Sequence, residues 1–335
     1  METSNSIPDG EYPNRVPRDV VASVYMITYN HAEYISQAIE SVLMQRTDFP
    51  FELCIGEDRS TDDTRKICIS YAQRFPEKIR LFLRSEEEKK EGSKYPPGRW
   101  NSHLTRQACR GKYIAICEGD DYWTDESKLM IQVAFMEKMP GYVGCFTNYM
   151  IVDRDGQVMK ERARGPSQPS YYDRVSVLRS GVPQTCSVMY KNILLKDPIF
   201  LKFLNVVNGD QVLAAIMGQN GKIGYIEKVS AARRVGSGTF STLARSKQYL
   251  ASIDTFMLLK MHLARSDEQR ALNDRIEGLY LNLATSYLIR GCPGLAWRAI
   301  KARNGAIRAP RRSVILYSIL YILKGAKDRI SFLGK

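Results

Sequence analysis

Short β-branched apolar runs alternate with stretches of helical periodicity over the first 140 residues. Residues 20–27 are such a run and predict a strand. Ile35, Ala38, Ile39, Val42 and Leu43 follow at helical spacing. Residues 51–56 predict a second strand, 79–83 a third and 112–117 a fourth. Helices are expected at 101–110 and at about 125–139, the latter stopped by Pro140-Gly141. Ser60-Thr61-Asp62-Asp63-Thr64 reads as a helix start, because hydroxyls and acids satisfy the orphan N–H groups there. Strand and helix in alternation predict an α/β fold: a mostly parallel sheet flanked by helices, with ligands beyond the carboxyl ends of the strands.

The pattern changes after residue 140. Residues 142–152 and 157–160 flank Asp153-Arg154-Asp155-Gly156, a hairpin signal. A strand is expected at 184–190, a helix at 209–218, and two short strands at 223–226 and 229–233. From about 246 the periodicity is helical, with a hairpin over 276–304 broken at Gly291-Cys292-Pro293-Gly294. The expected organisation is a lead-in at 1–19, a main domain at 20–245 whose halves are 20–140 and 141–245, and a basic helical C-terminal region at 246–335.

Composition narrows the classes. The chain is 44% hydrophobic and 25% charged, ordinary for a globular protein. Residues 1–19 are polar and Pro-rich, expected to be flexible and carrying no secretory signal. The seven Cys include no C-x-x-C pair; five of them, Cys54, Cys68, Cys109, Cys117 and Cys145, fall in apolar patterns and are expected to be reduced core residues of a cytoplasmic protein. Three His leave little for a His-rich zinc site. The net charge of +13 is concentrated at one end: residues 290–335 hold eleven Lys/Arg and one acid, Asp328. The body is near neutral, which argues against nucleic acid as a partner.

The chemistry gathers at predicted strand ends. Glu118-Gly119-Asp120-Asp121 places three carboxylates in four residues. Such acids repel one another unless a cation lies between them, and hard oxygen ligands suit Mg²⁺ or Mn²⁺. The alternative is a solvated acidic turn. Asp58 follows the second strand and reads either as a turn acid or as a hydrogen-bond acceptor for a nucleoside. No G-x-G-x-x-G follows the first strand, which counts against a dinucleotide enzyme. Asp210, in Asn208-Gly209-Asp210-Gln211, is either a helix cap or a general base. Arg233-Arg234 are either a solvated loop or a charge source for a diphosphate. Tyr29 would stack on a base or pack, and Trp123 and Tyr122 are expected in core or rim.

Residues 24–31 (Val-Tyr-Met-Ile-Thr-Tyr-Asn-His), 57–64 (Glu-Asp-Arg-Ser-Thr-Asp-Asp-Thr) and 118–123 (Glu-Gly-Asp-Asp-Tyr-Trp) together resemble family 2 glycosyltransferases of the GT-A fold. The similarity is strong over about 20–150 and weaker to about 240. It implies an inverting, metal-dependent transfer from a nucleotide diphosphate sugar, UDP-sugar favoured, to a hydroxyl of a glycan or lipid-linked acceptor in surface polysaccharide synthesis. Thr28, Tyr29, Asn30, Glu57, Asp58, Glu118 and Gly119 would then line the donor nucleotide. Asp120 and Asp121 would hold Mn²⁺ or Mg²⁺, Asp210 would be the base, and Arg233 and Arg234 would face the diphosphate. Three positions depart from the family pattern: Glu118 replaces Asp, Gly209 precedes the base, and Val235 replaces a His. A lapsed scaffold on this fold and a nucleotidyltransferase are the rivals.

Residues 314–323 form an apolar run between basic residues, too short for the roughly 20 residues a bilayer span takes. Segment 311–335 is read two ways: a basic amphipathic helix on an anionic membrane surface, at the inner face, or a core helix on residues 250–300.

Overall fold

The computed structural model describes residues 14–165, 169–180, 184–193, 203–238, 240 and 242–308. Residues 1–13 of the expected lead-in and the whole of 311–335 lie outside them. The chain divides into two compact units. One comprises Met1–Arg174, Val182–Asn205 and Ile216–Thr242; the other comprises Val175–Gly181, Val206–Ala215 and Leu243–Lys335.

The first unit is built on a sheet of ten described strands: β1 (Ala22–Thr28), β2 (Phe51–Glu57), β3 (Ile79–Leu83), β4 (Tyr113–Ile116), β5 (Tyr122–Trp123), β6 (Tyr142–Val152), β7 (Val158–Lys160), β8 (Tyr171–Tyr172), β9 (Val188–Lys191) and β10 (Lys222–Arg234). Their order is β3-β2-β1-β4-β9-β6-β10-β5, with β7 on β6 and β8 on β10. β3, β2, β1 and β4 are parallel, as are β6 and β10. β9 runs antiparallel between β4 and β6. The first five helices of the chain are α1 (Ile35–Leu43), α2 (Thr64–Arg74), α3 (Glu86–Gly92), α4 (Arg99–Ala108) and α5 (Lys128–Lys138).

The mostly parallel α/β fold expected from the pattern is present. Three local features differ. The strand expected at 184–190 begins as a 3₁₀ turn, Thr185–Ser187, before β9. The two strands expected at 223–226 and 229–233 are one, β10, whose register shifts twice between Ile226 and Ala231. Glu227 and Lys228 are exposed there, so the polar break marked a bulge rather than a turn. The lead-in is packed at its described end: Val16 is buried and the Arg15 N–H donates to Pro76 O at 2.8 Å.

Every residue of β2 is buried, including two carboxylates, Glu52 and Glu57. Glu52 Oε1 accepts from the Ser23 hydroxyl (2.6 Å) and from the Arg110 N–H (2.8 Å). Its Oε2 accepts from Arg80 Nη1 (3.1 Å) and Arg110 Nη2 (2.9 Å). Burial alone would push this carboxyl up; the Ser23 and Arg110 hydrogen bonds and the two guanidiniums outweigh it and hold the group below its ordinary value.

The second unit contains helices Arg245–His262, Ser266–Ile289 and Pro293–Arg308. Phe256, Met257, Leu272, Ile276, Leu283 and Ala299 are buried in it. The break expected at 291–294 is a turn with Gly291 at φ 69°, a conformation glycine adopts without a Cβ penalty. The helix Gly209–Asn220 starts as expected and runs two residues further.

Glu52→Ala should lower stability by about 3–5 kcal/mol, since it leaves two guanidiniums without their shared carboxylate. The depressed carboxyl contributes stability that is present above its unfolded value and lost as pH falls through the folded one. Urea titrations at pH 7 and pH 3 check this: the gap between wild type and variant should narrow at the lower pH.

Candidate active site

β2, β1 and β4 are neighbours in the sheet, and all three point the same way. Their carboxyl ends bring Glu57-Asp58, Thr28-Tyr29-Asn30 and the 118–121 turn together. The turn is locked to β1: the Gly119 N–H donates to Ile27 O at 3.0 Å. A Cβ at Gly119 would lie 2.7 Å from Thr28 Oγ1 and 3.0 Å from His31 Nδ1, so only glycine fits between these loops.

Among the described residues, Glu118, Asp120 and Asp121 form one metal-competent group, with carboxylate oxygens within 4.8 Å of one another. Each is held by a separate donor. Thr185 Oγ1 donates to Glu118 Oε2 (2.8 Å), Ser237 Oγ to Asp120 Oδ2 (2.9 Å), and the Arg234 N–H to Asp121 Oδ1 (2.8 Å). Asp121 is buried. Burial, then the neighbouring Asp120 and Glu118 charges, push its carboxyl well up, against the Arg234 N–H. A proton or a cation relieves such crowding, and three hard oxygens suit Mg²⁺ or Mn²⁺.

Not every candidate side chain faces a ligand. Glu57 is fully buried: its Oε1 accepts from the Ser60 N–H (2.6 Å) and its Oε2 pairs with Arg65. It fixes the loop and α2, and its side chain is not exposed to a ligand. Asn30, at φ 53°, bridges the same loops: its N–H donates to Ser60 Oγ (3.0 Å) and its Oδ1 accepts from the Thr61 N–H (2.8 Å). Thr28 is buried, with Oγ1 3.3 Å from His31 Nδ1. The Tyr29 ring is 43% exposed here, and the Asp58 carboxylate beside it is buried under a lysine. Lys89 Nζ donates to Asp58 Oδ2 at 2.7 Å. Burial pushes the Asp58 carboxyl up, against the pull of that ammonium.

Arg233 and Arg234 separate. Arg234 is 5% exposed, and its guanidinium is spent on the fold. Nε donates to Asp120 O (3.1 Å), Nη1 to Asp153 O (3.2 Å) and Arg154 O (2.7 Å), and Nη2 to Gln37 Oε1 (2.7 Å). It also lies over the Tyr34 ring at 4.5 Å. This geometry makes it a positioning residue for the acid turn and removes it from the diphosphate candidates. Arg233 is half-buried, and its charge acts on Asp121. Trp123 is core: its Nε1 donates to Ile116 O and, at 3.0 Å, to Cys186 O, which fixes the Thr185–Ser187 turn. Beneath the indole lies Lys128, buried among sulfurs, its ammonium lowered to about 8 by loss of water. In the second unit Asp210 opens its helix, with Oδ1 accepting from the Gln211 N–H at 2.8 Å.

Thr185, Ser237, Lys89 and Lys128 were absent from the sequence-based candidates. Thr185 sits far along the chain in a segment without an acid, and Ser237, though it lies between Gly236 and Gly238 just after the arginine pair, is one hydroxyl among flexible residues. Lys89 sits in a run of charged residues, Glu86 to Lys90, where nothing singles it out.

Gly119→Ala should lower stability by about 1–3 kcal/mol, the usual range for forcing a methyl into a packed site. Urea denaturation checks it; an unchanged midpoint would mean that the acid turn swings clear of Thr28 and His31.

The family model described as "Glycosyl transferase family 2" matches residues 23–196. A Mycobacterium tuberculosis protein of uncharacterised function is 39% identical over 134 residues, covering 40% of this chain and 36% of the relative. An uncharacterised glycosyltransferase of Rickettsia bellii is 26% identical over 257 residues, covering 75% of this chain and 34% of the relative. The chain thus spans about a third of the length of these curated relatives. Among solved structures, S. aureus TarS 1–349 in complex with UDP-GlcNAc superposes with a TM-score of 0.53 at 16% identity, covering 85% of this chain and 91% of that one. The mannosyltransferase PcManGT from Pyrobaculum calidifontis, in complex with GDP-Man and Mn²⁺, gives 0.54 at 16%, covering 95% and 82%. These likenesses carry the fold; the family model, spanning half of the chain and all three strand-end motifs, carries the assignment: the chain belongs to glycosyl transferase family 2.

Proposed function

We propose that this protein transfers a sugar from a nucleotide diphosphate sugar, UDP-sugar favoured, to a hydroxyl of a glycan or lipid-linked acceptor. The observation that carries this reading is the convergence of Glu118, Asp120 and Asp121 at the strand ends that also present Tyr29 and Asp58. Tyr29 offers a face for a base and Asp58 an acceptor for a base or ribose N–H or O–H. The three carboxylates would hold Mn²⁺ or Mg²⁺, and such an ion supplies positive charge to a leaving diphosphate. Arg233 adds a cation near the same turn.

In the proposed reaction the acceptor oxygen bonds to the anomeric carbon as the bond to the diphosphate oxygen breaks. Asp210 takes the acceptor's proton, because a carboxylate is the base that the chain offers for this role. Displacement from the opposite face inverts the anomeric centre. Support for the donor class comes from the structural neighbours, which hold UDP-GlcNAc and GDP-Man. Support for a polysaccharide product comes from chondroitin synthase of Escherichia coli, 29% identical over 153 residues and matched over 20% of its length. The proposed place of action is the cytoplasmic face of a membrane. No helix among the described residues is long and apolar enough to cross one.

Asp120→Ala should abolish Mn²⁺-dependent binding of nucleotide sugars by calorimetry; unaltered binding would remove the acid turn from the donor site. Asp210→Asn should retain donor binding while transfer to a sugar acceptor drops at least 100-fold, the lower bound for losing a general base. Full transfer by that variant would exclude Asp210 as the base.

A further inference from the structure

The two groups that would receive a nucleoside already hold something: a side chain of the protein itself. Lys89 Nζ donates to Asp58 Oδ2 (2.7 Å) and to Asp58 O (2.9 Å), and lies 4.4 Å from the centre of the Tyr29 ring. A base stacked on that face of Tyr29 and bonded to Asp58 would have to occupy the space of this ammonium. Hydrogen-bond donation and ring stacking are what a nucleobase offers, and Lys89 supplies both through an N–H and a cation–π contact.

The helix that carries Lys89 is exposed, and Glu88 in its first turn pairs with the buried Arg84 at 3.5 Å. α3 has a complete capping box, in which the Glu88 N–H donates to Ser85 Oγ and the Ser85 N–H to Glu88 Oε2, so the short helix is defined locally. None of its residues is buried. Two ion pairs join it to the 57–60 loop: Lys89 with Asp58, and Arg59 Nη1 with Glu86 Oε2 at 2.7 Å. The Lys89 side chain is 41% exposed and Glu86 74%. Pairs this open to water are individually weak and are displaced by a ligand that satisfies the buried partner better. The buried partner here is Asp58, 13% exposed, which would be left without its ion pair if Lys89 simply withdrew.

We propose that Lys89 is the built-in occupant of the nucleoside subsite: it stands in for the base on Tyr29 and Asp58, and donor binding displaces it. The proposal rests on the reading of Tyr29 and Asp58 as the nucleoside contacts. α3 then sets donor affinity by competition, since the subsite binds only in the fraction of molecules whose lysine has left.

Titration calorimetry of UDP and of GDP, each with Mn²⁺, tests it on wild type, Lys89→Ala and Lys89→Arg. Lys89→Ala should bind the preferred nucleotide about threefold to tenfold more tightly, while Lys89→Arg, which keeps the cation, stays near wild type. Hydrogen exchange in wild type should also speed up over residues 86–92 when the nucleotide binds. Weaker binding by Lys89→Ala would overturn the proposal and make Lys89 a contact to the bound nucleotide. Unchanged affinity would overturn it too, with the donor reading intact. Failure of the wild type itself to bind either nucleotide would take down the donor reading and this proposal together.

Discussion

Mutual repulsion among three carboxylates is the constraint around which the first unit is arranged. Glu118, Asp120 and Asp121 would spread apart in solution; here their oxygens lie within 4.8 Å. The protein holds them with donors from two distant places in the chain: Thr185, and the 234–237 loop through the Arg234 backbone and Ser237. The Arg234 side chain then ties the Asp120 carbonyl to the 153–154 turn and to Gln37 on α1. Folding energy is thus committed to an arrangement that is unfavourable until positive charge arrives.

The loops at the strand ends are joined by side chains. Asn30 and Glu57 bind the turn that follows β2, and Asp62 accepts from the Ala32 N–H while capping the Thr64 N–H. Asn30 and Arg59 both take left-handed backbone conformations within this junction. Such conformations persist where surrounding bonds over-determine them. The result is a rim tied together by side chains, beside an α3 whose own residues are all at least partly exposed.

Sequence reading reached the fold because apolar periodicity reports burial, and a parallel sheet buries its strands on both faces. It also reached the acid turn, since three carboxylates in four residues are conspicuous. It could not assign each polar side chain its partner. Glu57 and Asp58 are adjacent acids at one strand end, yet one is locked beneath the loop and the other faces the site. The difference follows from the alternation of side chains and from Arg65, eight residues on at the start of α2, neither of which a residue type records. Likewise Arg233 and Arg234 look equivalent as a pair of cations and serve opposite purposes. The basic segment 311–335 lies outside the described residues, so its two readings stand as they did.

The bulges of β10 bear on that last pair. Between Ile226 and Ala231 this strand advances five residues while β6 advances two, from Thr147 to Tyr149. The surplus is odd. Because side chains along a strand alternate, an odd surplus inverts which face each later residue serves. The irregularity near Glu227 and Lys228 therefore acts as a phase shifter: it decides, several residues downstream, which of two neighbouring arginines is buried and which is half-exposed. Loss or gain of a single residue there would leave the composition of the site untouched and exchange the two roles.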